Sequence, residues 1–205
     1  MKNLLLSLLI LAGTGQLLIA QDAQLKIAVD DPTLPYYEIP ENPETFTAET
    51  VAARMIDGLG FRYYWATEGL RPEDLSYQPS EGARTSEETI DHILGLTNII
   101  LNSVKQVPND GGGAEAPTTF DGKRKRTLEN LQEASNILKS GSGTLDEYPI
   151  IFQRGESRSE LPFWNQINGP ISDALWHVGQ VVTFRRSSGN PFNSKVSVLS
   201  GKVRQ

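Results

Sequence analysis

A chain of 205 residues is long enough for one domain, and a hydrophobic fraction of 38% supports a single sizeable core. Nineteen basic residues against 25 acidic ones leave a formal charge of -6, which excludes a broad basic surface and disfavours nucleic acid as a partner. No cysteine occurs, so disulfides, a lipoprotein anchor, thiolate nucleophiles and thiolate metal ligands are excluded.

The first twenty residues have the form of a signal peptide. Lys2 supplies the positive start and Leu4 to Ala12 the apolar run. Gly13-Thr14-Gly15 breaks it, and Leu17-Leu18-Ile19-Ala20 leads into Gln21. Ala20 is the small residue needed before a cut, whereas Leu18 fits its position poorly. A permanent anchor is the competing reading, but the glycines keep the run below the roughly 18 unbroken apolar residues of a spanning helix. Cleavage and export to the periplasm or extracellular space are expected, with no integral membrane segment afterwards.

Residues 21–45 are rich in proline and acid and read as an extended lead-in. Over 47–70, Val51, Met55, Leu59 and Tyr63, with Ala52 and Ile56, recur at helical spacing. Gly58 and Gly60 each weaken that helix by about 1 kcal/mol relative to alanine, so packing must hold it. A loop over 71–82 precedes a second helix over 86–105, where Thr85 and Glu88 have capping-box spacing. A Gly/Ala/Pro loop over 109–119 leads to a third helix over 122–138, with Leu128, Leu131, Ala134 and Leu138 as its stripe. After Gly141-Ser142-Gly143 a long, partly extended crossover spans 144–161. The fourth helix, over 167–186, has Ile167, Ile171, Leu175, Val178 and Val182 as its stripe, and an irregular tail follows over 191–205. Four helices with one long crossover fit an all-α four-helix bundle over 46–190, a fold that builds sites from inward side chains on facing helices.

The two histidines, His92 and His177, each fall in the middle of an expected helix. At about 100° per residue, Asp173, His177 and Gln180 share a strip beside the fourth helix's stripe. Asp173 and His177 are an i, i+4 pair, stacked one above the other, as two ligands of one ion require. His92 lies at a similar offset on the second helix. A helix histidine is also commonly just a hydrogen-bonded, half-buried side chain, and an i, i+4 Asp/His pair is commonly a surface ion pair worth a few tenths of a kcal/mol. Spacing alone leaves both readings open.

The run Gly169-Pro170-Ile171-Ser172-Asp173-Ala174-Leu175-Trp176-His177-Val178-Gly179-Gln180, followed by Arg185-Arg186 and Gly189, resembles the last helix of the DinB/YfiT-like family. That helix carries His-x-x-x-His-x-Gly-Gln and then a basic, Gly-ended turn. The stretch Arg84 to Ile93 is similar to the family's second-helix start, where the first ligand histidine stands. The resemblance implies a metal centre of His92, Asp173 and His177 holding one divalent metal ion. Asp173 departs from the family's usual histidine. Two histidines and a carboxylate suit Zn, Ni, Fe or Mn, so metal identity stays open. A lost site, leaving a plain bundle, is the alternative.

Two residues are candidates for catalytic roles. Gln180 stands less than one turn from His177, to hold a ligand or substrate or to make a buried polar contact. Glu88, one turn before His92, is the best-placed general base, although capping suits it better. Asp91 is expected to face solvent. Tyr63, Tyr64 and Trp65, with Trp176, line either a pocket above the ion or the core, and aromatics at helical spacing are more often core. The run Lys123 to Arg126 is expected to form a solvated face.

The expected function is that of an exported metal-dependent hydrolase or transferase acting on a small-molecule substrate, the ion activating water or a small nucleophile. Export disfavours the family's thiol-dependent transferases, because small thiols are concentrated in the cytosol. A non-catalytic helical binding module with a structural metal or none is the alternative. A homodimer is compatible with either.

Overall fold

The computed structural model describes residues 33–112, 115–141 and 143–205, and the expected signal peptide lies outside them. The described chain is mostly helical. Helix α1 (Ala48–Thr67) starts where Thr47 Oγ1 accepts from Thr50 N at 3.2 Å and Thr50 Oγ1 accepts from Thr47 N at 2.8 Å. A four-residue helix, α2 (Pro72–Leu75), interrupts the expected loop; proline at its first position needs no N–H partner there. Helix α3 (Ser86–Val104) opens on the expected capping box, with Glu88 N donating to Thr85 Oγ1 and Thr85 N to Glu88 Oε2. Helix α4 (Phe120–Ser140) follows.

The crossover is more regular than its composition suggests. It forms an antiparallel hairpin of β1 (Ile150–Arg154) and β2 (Ser157–Leu161), with Phe152 opposite Ser159. Only β1 buries side chains, which is why the polar Ser157-Arg158-Ser159-Glu160 run carries no strand signal. The fourth helical stretch begins earlier than expected. Helix α5 (Phe163–Gln166) passes through a π-helical turn, Ile167–Ile171, into α6 (Ser172–Ser187). Pro170 cannot donate to the carbonyl one α-turn back, and the wider turn accommodates that gap. Ser172 Oγ donates to Ile167 O at 2.6 Å and closes the turn. The expected irregular tail holds a short ladder of β3 (Val196–Ser197) and β4 (Lys202–Val203).

Helices α1 and α3 each pack against both α4 and α6, so the four long helices close into a ring around one core. Ile56 and Leu59, Ile93 and Ile100, Leu128 and Leu131, and Ala174 and Val181 meet there, fully buried. The α4 stripe is as expected. From the end of the π turn through α6 the buried positions are Ile171, Ala174, Val178, Val181 and Arg185, while Leu175 and Val182 are only half-buried. Small Ala174 turns the inward face toward the His177 strip, which a count of large aliphatics misses. Tyr63, Tyr64 and Trp65 are core, and Trp176 is exposed. Among the described residues no helix is long and apolar enough to cross a membrane.

The lead-in and tail brace α1. Tyr36, buried and held at φ 73°, lays its ring on Gly60, and its hydroxyl donates to Asp57 Oδ1 at 3.1 Å. Lys139 Nζ donates to the other oxygen of buried Asp57 at 2.6 Å. Ile39 N donates to Gly201 O at 2.9 Å, joining lead-in to tail.

Candidate metal centre

Helices α3 and α6 pack side by side and bring His92, Asp173 and His177 together. One ligand atom from each lies within 4.8 Å of the other two. His92 Nε2 is 3.2 Å from Asp173 Oδ2, and His177 Nε2 is 3.3 Å from Asp173 Oδ1. The two imidazoles stand edge to face, 4.6 Å between centroids with their planes at 90°. The carboxylate therefore sits between two imidazole nitrogens, one from each helix.

The π turn sets this geometry. One residue more per turn than an α-helix rotates everything after it, and Asp173 is the second residue of α6. Downstream, Gln180 Oε1 lies 2.7 Å from His177 Nδ1. With that oxygen accepting, Nδ1 is the donor and Nε2 is the nitrogen that faces the carboxylate. This donor set fits a divalent ion: two imidazole nitrogens, a carboxylate and one ring already fixed by an outer hydrogen bond. The group could hold a metal ion, and its identity is not set by three such ligands.

The side chains of His92, Asp173 and His177 are 33%, 39% and 13% exposed, so the centre is reachable from solvent.

The other candidates separate. Gln180 is on the His177 ring. Glu88 is at the start of α3, where hydrogen bonds from Thr85 hold its carboxyl below the usual glutamate range; it is engaged as a cap. Asp91 is exposed but pairs with Lys123 Nζ at 2.7 Å, and Glu87 takes the same ammonium at 3.0 Å. The basic run is thus not a solvated face throughout. Arg124 is buried against Glu68 and lies over the Tyr64 ring, and of the four only Lys125 is exposed.

Arg185 is the main residue whose position sequence reasoning missed. Its Nη1 donates to the carbonyls of Trp65, Ala66 and Glu68 at 3.1, 3.0 and 2.9 Å, closing the C-terminal end of α1. It thereby ties α1 to the helix that carries two of the three donors. A basic residue in the last turn of α6 signals such a cap only in general terms, because the helix it caps is a different one.

No family model matches this chain, no curated protein matches it, and no solved structure matches it.

Proposed function

We propose that this protein is an exported, DinB/YfiT-like bundle that binds one divalent metal ion through His92, Asp173 and His177 and acts as a metal-dependent hydrolase or transferase on a small substrate. The observation that carries the reading is the meeting of these three side chains, from two separate helices, with donor atoms within 4.8 Å. The paired motifs on α3 and α6 support the family, and the apolar run after Lys2 supports export.

A bound divalent ion supplies Lewis acidity, polarising a substrate oxygen or lowering the pKa of water to about 7. The chain's own residues do the rest. Gln180 fixes the His177 ring and presents Nε2 inward. Asp173 offers one oxygen to each histidine's side of the centre. Three protein donors leave positions for substrate, and the partial exposure of all three side chains gives it access.

Metal analysis of the purified protein beside its His177→Ala variant tests the ligand set. One equivalent of metal in the wild type and little in the variant is expected; equal content in both overturns the proposal. Turnover of a chromogenic ester by the metal-loaded protein, lost in His177→Ala, decides for the enzyme. Retention of metal with no turnover of any ester or amide substrate decides for the binding module.

A further inference from the structure

The outer face of α3, the first half of α4, β1 and the loop after α3 line an open cavity of about 950 Å³, within the size range of sites that take small organic ligands. Its polar groups are oriented. Asn130 Nδ2 donates to Asn98 Oδ1 at 2.7 Å, and Asn102 Nδ2 donates to Asn109 Oδ1 at 2.9 Å. That leaves the Asn98 amide nitrogen as a donor and the Asn102 and Asn130 carbonyls as acceptors, a mixed set that suits an amide.

The charges are balanced, two basic and two acidic side chains. Arg126 from α4 and Arg154 from the end of β1 line the cavity, and neither makes an ion pair or hydrogen bond among the described residues. Asp110 and Glu115, on the loop between α3 and α4, line it too. Ile99 and Phe152 add apolar surface. A neutral sugar leaves both guanidiniums without a counter-charge, and a simple anion leaves both carboxylates opposed, Asp110 having only the Gly112 N–H at 2.8 Å. A short peptide with free termini answers each group: carboxylate to guanidinium, ammonium to carboxylate, peptide bonds to the asparagines.

We propose that this cavity is a binding site for short peptides with free termini. Arg126 and Arg154 take the C-terminal carboxylate, Asp110 and Glu115 take the ammonium, and the three asparagines read the backbone. The site is independent of the metal centre, so the His177→Ala variant binds peptide as the wild type does.

Native mass spectrometry and calorimetry with a defined mixture of tetrapeptides provide the test. The probes are the free-terminus mixture, the same mixture acetylated and amidated, maltotetraose and citrate. One-to-one complexes with the free peptides are expected, at least tenfold weaker with the capped ones and at least tenfold weaker in an Arg126→Ala/Arg154→Ala variant. That variant should keep its circular dichroism, because neither guanidinium holds another described part of the fold. If it does not fold, the comparison of free and capped peptides on the wild type decides alone. No complex with free peptides, equal binding of capped peptides, undiminished binding in the folded double variant, or preference for maltotetraose or citrate would each overturn the proposal.

Discussion

Gly60→Ala is a test of how the lead-in is held, because its sign should depend on one distant side chain. A Cβ built at Gly60 falls 2.5, 2.5 and 2.7 Å from three carbons of the Tyr36 ring, where unstrained carbons need about 3.5–4.0 Å. The ring cannot slide away easily. Its hydroxyl is tied to Asp57, and its backbone is already in the left-handed region at φ 73°. Expulsion is the remaining response. It forfeits about 2–3 kcal/mol of side-chain burial and about 1.5–3 kcal/mol for a hydrogen bond to a charged acceptor. Against this stand about 1 kcal/mol of helix propensity and about 1–2 kcal/mol of relieved backbone strain. The net expectation is a loss of roughly 2 kcal/mol, read as a lower urea midpoint at unchanged slope. In a Tyr36→Ala background the obstacle is gone, and Gly60→Ala should then stabilise by about 1 kcal/mol. Gly179→Ala, mid-α6 with no atom within 4 Å of the added Cβ, should stabilise by a similar amount in the wild type. The reasoning fails if Gly60→Ala has the same sign with and without the Tyr36 ring.

Asp173→His should keep metal binding while shifting preference among Zn, Ni, Fe and Mn, measured by competitive loading; complete loss of metal would count against the ligand set. Gln180→Ala should weaken metal affinity by about 10–100-fold in competition with a chromogenic chelator, since His177 loses the partner that orients it. Burial pushes the carboxyl of Asp74 up, but hydrogen bonds from Arg71, Ser188 and Asn190 outweigh it and hold the group well below the usual aspartate range. A depressed folded pKa adds stability above about pH 4, lost as pH falls further. Asp74→Asn should therefore cost about 3 kcal/mol near pH 7 and less below pH 4, and parallel pH–stability curves for the two proteins would refute this. If the proposed export holds, N-terminal sequencing of the protein recovered from the cells that make it should begin at Gln21; an intact Met1 would support an anchor instead.

Much of the helical framework was legible because its signals are local. The α3 capping box of Thr85 and Glu88 and the α4 stripe from Leu128 to Leu138 are written in neighbouring residues, and both stand as the pattern implies. The metal donors were legible for the same reason on α6, where Asp173 and His177 share a strip, and only the meeting with His92 needed the fold. What escaped depends on contacts distant in sequence. Arg185 caps a helix 117 or more positions away, Tyr36 needs Gly60 to lie flat, and Arg124 is buried because Glu68 waits for it. The hairpin escaped for a different reason: β2 is exposed along its whole length and so carries no alternation of polar and apolar residues.

The π turn connects the two halves of this account. Had α5 run on into α6 as a plain α-helix, one residue fewer in the turn would rotate Asp173 and His177 by about 100° around the axis. The same side chains would then point away from His92, and the i, i+4 pair would be an ordinary surface pair. Pro170 is what makes the wide turn cheap, since the hydrogen bond given up at that position is one proline cannot make. The fold thus uses a residue that ordinarily ends a helix to aim the next one. Arg185 at the far end of α6 then locks its rotation against α1 through three carbonyls. Between those two fixed points lie Asp173, His177 and Gln180, so the α6 half of the candidate centre is held at both ends, as a site that must keep its donors within a few Å requires.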